Sequence, residues 1–184
     1  RDLIAYCALR ISVTTDPVHS DRAQYLNNLI ERYTTAEREA FEQTLRCFVH
    51  TVWQNIERCT YEDLLSIPFF ECSAGNRDLK QDFTPPDIAK LLAYLTYGDP
   101  PELPQEGYYT LNDPACGSGI LLLASVDCLA RRGINPSEQL VIQASDLDIT
   151  CVQMTYIQLS LYGVPAVVIQ GDTLTLKEYD RWYT

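Results

Sequence analysis

From residue 108 onward the chain alternates short apolar runs with helical stretches, and this alternation limits its fold more than any other feature. Residues 108–112, 140–145 and 166–170 predict strands, and residues 118–132 and 148–162 predict the helices between them. The second and third runs are rich in apolar residues, as expected of buried parallel strands. Each helix is followed by a glycine, Gly133 and Gly163, which suits the left-handed residue that closes a helix. A β-α-β-α-β series crosses over right-handed. The expected class is therefore α/β, with the first half of a Rossmann-like, doubly wound sheet.

The preceding sequence has a different rhythm. A short amphipathic segment at 26–30 follows a break at Asp16-Pro17. Thr34-Thr35-Ala36-Glu37 is a capping box, with a hydroxyl at the N-cap and a carboxylate three residues on. It opens a long helix in which Phe41, Leu45, Phe48, Val49, Val52, Trp53 and Ile56 recur at steps of three and four, a stripe expected to be core. Thr60, with Asp63 three positions later, predicts another short helix carrying Leu64, Leu65 and Ile67. Pro68 and Ser73-Ala74-Gly75-Asn76 are expected to end it. Together these read as a helical bundle of about 75 residues, an ordinary domain size.

Thr84-Pro85-Pro86-Asp87 then predicts a helix start, with Thr at the N-cap, Pro at the first helical position and an acid at the third. That helix carries Ile88, Leu91, Leu92 and Leu95, and a Pro-rich, acidic linker follows it. The expected division is a helical region at 1–80 and an α/β domain at 81–184.

Charge narrows the function. With 14 basic and 25 acidic residues the chain carries a formal net charge of −11. Affinity for duplex DNA comes largely from Lys and Arg neutralising phosphates, so a chain this acidic should bind DNA weakly by itself. The seven cysteines are widely spaced, without a C-x-x-C pair, and suggest neither a zinc site nor a disulfide framework. No run is apolar enough to span a bilayer, and Arg1-Asp2 does not begin a signal peptide, so a soluble cytoplasmic protein without membrane contact is expected.

Asp113-Pro114-Ala115-Cys116-Gly117-Ser118-Gly119 links the first strand to the first helix of the α/β part. Glycines at 117 and 119 let a ligand approach the backbone, and the helix start behind them offers free N–H groups. The string is not the dinucleotide pattern G-x-G-x-x-G, since Ile120, Leu121 and Leu122 stand where a third Gly would fall. Asp146, at the end of the second strand, lies where open α/β sheets bind ligands, and Asp172 ends the third strand facing the same crevice. Each also has a plain structural reading: an acid at a strand end often caps the next helix, a part Asp148 could play for 148–162, and Asp172 after Gly171 could be a turn acid. Cys116 has no His near it in sequence and is not expected to be a nucleophile. His19 and His50 belong to the helical region and are expected to be surface or helix-face residues.

The 113–119 string resembles the cofactor loop of N6-adenine-specific DNA methyltransferases, especially the modification subunits of type I restriction-modification systems. Gln81-Asp82-Phe83-Thr84-Pro85-Pro86, Ala144-Ser145-Asp146-Leu147-Asp148 and Gly171-Asp172-Thr173-Leu174 resemble further segments of that family in order and spacing. Tyr61-Glu62-Asp63-Leu64-Leu65 resembles the helices placed before the domain. The resemblance implies S-adenosyl-L-methionine as cofactor. Phe83, Thr84 and Pro85 would hold its methionine end, with Asp113, Ala115, Gly117 and Gly119 forming the loop. Asp146 would grip the ribose hydroxyls, Asp172 and Thr173 would stand at the adenine amino group, and Leu147 with Leu174 could sandwich the ring.

It also implies DNA as partner, reached through a further segment or a specificity subunit, and a homo-oligomer as one arrangement. The family's catalytic element, Asn/Asp-Pro-Pro-aromatic, orients the target amine and stacks a flipped base. No such string occurs in the 184 residues: Asn135-Pro136-Ser137 lacks the second Pro, and Asp99-Pro100-Pro101-Glu102 ends in an acid. Glu178-Tyr179-Asp180 resembles the lead-in to a fourth strand. Two expectations follow: the cofactor-binding half of a methyltransferase whose catalytic half lies elsewhere, or a degenerate, non-catalytic binding or assembly module of the same fold.

Overall fold

The computed structural model describes residues 1–16, 18–19, 21–73, 84–97 and 103–184. The chain runs α1 (Asp2–Thr15), α2 (Arg22–Ile30), α3 (Thr35–Glu57), α4 (Ser66–Ser73), α5 (Pro86–Tyr97), β1 (Tyr109–Asp113), α6 (Ile120–Ala130), α7 (Pro136–Gln139), β2 (Leu140–Asp146), α8 (Ile149–Leu161), β3 (Ala166–Asp172) and β4 (Lys177–Tyr183). β1, β2 and β3 are parallel neighbours, and β4 returns antiparallel along β3, giving the order β1-β2-β3-β4. It is a mixed α/β fold on a mostly parallel sheet.

Apolar sequence explains the central layer. α8 is buried on nearly every side, and its apolar residues are spread around the helix rather than confined to one stripe. Its Val152, Met154, Tyr156 and Leu159 are fully buried between the sheet and α1. Leu140, Ile142 and Ala144 of β2 point into this layer, whereas Val141 and Gln143 face outward. Asp148 caps α8 by accepting from the Thr150 N–H at 2.8 Å, and Gly163 after it has φ 68°, as the sequence suggested. Gly133 closes α6 in the same way, at φ 88°.

The helices before the sheet share its core. Ile4, Leu9, Leu26, Leu29, Val52 and Phe69 join Leu111, Ile142, Val168 and Trp182 in one continuous apolar cluster. The Thr34–Glu37 capping box forms as expected. The stripe on α3 is only partly core, however. Val52 is buried and Phe41, Leu45 and Phe48 are half-buried, but Val49, Trp53 and Ile56 are 43%, 63% and 41% exposed. The helix is about 34 Å long by its rise per residue, and its main tertiary contact is α1, which covers one part of that length.

Two further readings change. No helix starts at Thr60; Asp63 caps α4 instead, accepting from Leu65 and Ser66 N–H groups at 3.0 Å, and Pro68 lies in the first turn rather than at the end. A proline is tolerated there because first-turn N–H groups have no helical partner. α5 begins at Pro86, with the Pro85 carbonyl accepting from Ile88 and Ala89, so Thr84 stands one residue outside the cap. α5 packs on α6 through Ala89 and Ala93, small residues that permit a close helix pair. Ile88, Leu91, Leu92 and Leu95 face outward.

The 178–180 segment is not a lead-in but part of a strand folded back on β3. Asp172 turns the chain by accepting from the Leu174 and Thr175 N–H groups, and Leu176 takes a positive φ of 58°. The ladder is irregular between Gln170 and Gly171, where a Cβ would lie 2.9 Å from the Lys177 carbonyl oxygen. Arg22 of α2 locks this hairpin: its guanidinium lies 3.6 Å from the centre of the Trp182 ring and 2.8 Å from Asp180.

Candidate functional site

The 113–119 loop emerges where the parallel strands end. Asp113, the last residue of β1, accepts from the Ala115 N–H at 3.0 Å, turning the chain out of the sheet. The Cys116 N–H then donates to the Ser145 carbonyl at 2.9 Å, which fastens the loop to β2. Gly117 and Gly119 both take left-handed conformations, at φ 55° and 89°. Gly119 has a second reason to lack a side chain, because a Cβ would come within 3.0 Å of Thr155 Oγ1 on α8. It is also the N-cap of α6, and no side chain caps that end.

Asp146 meets this loop directly. Its Oδ2 accepts from the Gly117 N–H at 2.9 Å and its Oδ1 from the Asp148 N–H at 2.9 Å. Two backbone donors thus orient the carboxylate, and each oxygen keeps a further lone pair for a ligand hydroxyl. Asp148, not Asp146, supplies the helix cap. Burial raises the Asp113 carboxyl above its ordinary value, the Ala115 N–H opposes this, and the Asp146 charge adds to the rise. Two acids therefore act on one region, and among the described residues no basic side chain contributes to the Asp113 shift. Such a place can accept hydrogen bonds from hydroxyls and favours a positively charged ligand group.

On the neighbouring side, the hairpin closes against the loop. Thr173 Oγ1 donates to the Pro114 carbonyl at 2.6 Å. Asp172 Oδ1 is committed to its turn, and a hydrogen bond from the Thr175 side chain, with those from the Thr175 and Leu174 N–H groups, holds its carboxyl below the usual range. Its turn role is established by geometry, and both N–H bonds fall on Oδ1 rather than Oδ2. A cavity of about 270 Å³ lies here, lined by Asn112, Pro114, Gln143, Ser145, Asp172 and Thr173 among others. Leu147 and Leu174 are 62% and 96% exposed, so neither is core.

Thr84 and Pro85 precede α5, and Pro86 lines a small cavity with Tyr61, Asp63 and Ile120. Phe83, with Gln81 and Asp82, lies outside the described residues. Ala115 is exposed on the loop. Cys116 is buried, its thiol pushed up to about 12 by desolvation, so it is no nucleophile. Asn135 is the N-cap of α7, accepting from Ser137, which gives Asn135-Pro136-Ser137 a structural role. Asp99-Pro100-Pro101-Glu102 lies outside the described residues. Of the two histidines, His50 is on the exposed side of α3, while His19 is held by the buried Asp16 and stacks on Tyr183.

A larger groove, about 760 Å³, runs between α1, α2 and α3 and is lined by Tyr6, Arg10, Leu26, Glu42 and Arg46 among others. Size alone does not outweigh topology: ligands of open α/β sheets sit beyond the carboxyl ends of the strands, where the loop and Asp146 are. Among the described residues, no cluster of His, Cys, Asp and Glu could hold a metal ion, and no helix is long and apolar enough to cross a membrane. Two buried polar residues on α8, Thr155 and Gln158, reach the loop and escaped the sequence reading. Their signal was a pair of polar residues three apart on one face of a helix whose other neighbours are largely apolar.

A mostly parallel sheet with a glycine turn after its first strand and an acid at the end of the next defines a mixed α/β protein whose candidate site lies at the strand ends. The family model described as N-6 DNA Methylase matches residues 60–182. The chain belongs to the N-6 DNA methylase family. No curated protein and no solved structure matches it.

Proposed function

We propose that this chain is the S-adenosyl-L-methionine-binding part of a DNA adenine-N6 methyltransferase of the restriction-modification type, built on one half of a doubly wound sheet. The observation that carries the reading is the bond from the Gly117 N–H to Asp146. It brings the glycine loop and the strand-end acid, two segments separate in sequence, to one place. Asp146 would accept from the ribose hydroxyls with its remaining lone pairs. Asp113, close enough to feel the Asp146 charge, would face the ammonium group. Asp172 would offer its Oδ2 to the adenine amino group, with Thr173 holding the hairpin against the loop. Leu147 and Leu174 would lie on the two faces of the ring, burying surface that is otherwise exposed. Phe83, Thr84 and Pro85 are assigned to the methionine end, and Ala115, Gly117 and Gly119 to the backbone wall.

When bound, the cofactor supplies an activated methyl group, and the protein supplies binding, orientation and electrostatics. The negative charge of −11 favours a division of labour in which DNA is held by a basic partner subunit or segment. A cytoplasmic protein is the matching location. A second reading, a cofactor-binding assembly module without transfer, is favoured by one observation: no Asn/Asp-Pro-Pro-aromatic string occurs in these residues. Methyl transfer decides between them. Incubating the complete encoded protein with labelled S-adenosylmethionine and adenine-containing duplex should yield N6-methyladenine. Labelled cofactor bound without any methylated adenine would support the module instead.

A further inference from the structure

The segment joining α3 to α4 is held by side chains from the α/β part. The Tyr61 N–H donates to Asp127 on α6 at 2.9 Å, and the Leu64 N–H donates to Gln158 Oε1 on α8 at 2.7 Å. The Tyr162 hydroxyl accepts from the Glu62 N–H and donates to the Glu62 carbonyl. Asp63 stands in the middle of these contacts. Its Oδ1 accepts from the Leu65 and Ser66 N–H groups and from Gln158 Nε2 at 3.0 Å, while its Oδ2 accepts from the Ser118 hydroxyl at 2.5 Å.

Those bonds grip the glycine loop from behind. Ser118 is fully buried. Gln158 Nε2 donates to the Ser118 carbonyl at 2.9 Å, and Thr155 Oγ1 donates to the Gly117 carbonyl at 3.0 Å. Both carbonyls are therefore turned toward α8. In a trans peptide the N–H points opposite to the C=O of the same plane, so pinning the Gly117 carbonyl inward directs the Ser118 N–H outward. The direction of the loop's peptide groups depends on α8 and, through Ser118 and Gln158, on an acid 55 residues upstream.

We propose that Asp63 is a positioning residue for the cofactor loop, coupling the docked 60–65 segment to the loop's affinity for S-adenosylmethionine through Ser118 and Gln158. This rests on the reading of that loop as the cofactor site. Ser118→Ala removes one link only. Asp63→Asn keeps an oxygen for the α4 cap but places an amide opposite Ser118. Tyr156→Phe is the comparison: on the same helix as Thr155 and Gln158, it deletes a bond to the Thr15 hydroxyl of α1 rather than one to the loop.

Hydrogen exchange of the Gly117 and Gly119 amides in the ligand-free chain reads the coupling without any cofactor. Loss of one net hydrogen bond corresponds to roughly fivefold faster exchange. That acceleration is expected in Ser118→Ala and Asp63→Asn, confined to the loop, and not in Tyr156→Phe, which should only lower thermal stability. Calorimetry with S-adenosylhomocysteine should show affinity weakened by about the same factor, and the double variant no weaker than the worse single one. Wild-type exchange rates at both glycines in Ser118→Ala and Asp63→Asn would overturn the proposal, as would unchanged affinity in a chain that binds. Accelerated exchange in a chain whose wild type binds no S-adenosylhomocysteine would uphold the loop coupling and overturn its cofactor role, together with the functional reading above.

Discussion

Replacing Gly119 with alanine tests the loop geometry at its tightest point. The backbone there has φ 89°, and an added Cβ would lie 3.0 Å from Thr155 Oγ1 and 3.3 Å from its Cγ2. A left-handed conformation costs a residue with a side chain about 1–2 kcal/mol. Thr155 must also move, and its bond to the Gly117 carbonyl contributes about 1 kcal/mol. Gly119→Ala should therefore destabilise the chain by about 2–3 kcal/mol. For a chain of 184 residues, that corresponds to a fall in Tm of about 4–12 °C. Thermal unfolding followed by circular dichroism measures it. Adding Thr155→Ala removes the crowding, so the two costs should fall short of additive by about 1 kcal/mol. A near-neutral Gly119→Ala, or a fully additive pair, would refute the reasoning.

Other consequences are as direct. Arg22→Ala strips the buried guanidinium from Asp180 and Trp182 and should cost about 2 kcal/mol in urea unfolding. Arg10→Ala, which breaks the more exposed pair with Glu42, should cost less than about 1 kcal/mol in the same measurement. Because burial raises the Asp113 carboxyl, the cost of its charge is present above the folded-state titration and is relieved as pH falls through it. A cationic ligand group favours the carboxylate, so S-adenosylmethionine affinity should weaken as pH falls through that titration. Affinity measured against pH should lose this dependence in Asp113→Asn.

Much of the sheet was legible because its signals are local. Apolar runs marked β2 and β3, Gly133 and Gly163 marked two helix ends, and Asp148 behaved as a cap. The α3 stripe shows the limit of periodicity, which says which residues share a face but not how much of that face another element covers. Trp53 lies on the expected stripe and is nevertheless 63% exposed. β4 was hidden because an edge strand with mostly solvent-facing residues lacks a continuous apolar run, Trp182 being its one fully buried anchor. Asp63 was misassigned for a related reason: its spacing from Thr60 suggested a helix start there, whereas tertiary contacts with Ser118 and Gln158 decide its place.

The site divides in the same way. Glycine positions and strand-end acids could be read from the string, since turn geometry and strand ends have their own residue preferences. The bond from the Gly117 N–H to Asp146 could not, because it depends on how β1 and β2 lie side by side. Nor could the commitment of Asp172 Oδ1 to a hairpin whose second strand was not foreseen.

The most direct test of the central claim is a calorimetric titration of the folded chain with S-adenosyl-L-methionine, repeated with Asp146→Ala. The account predicts saturable binding at one site, weakened at least about tenfold by removal of the carboxylate, a loss of roughly 1.4 kcal/mol. No binding by the folded chain, or binding indifferent to Asp146→Ala, would contradict it.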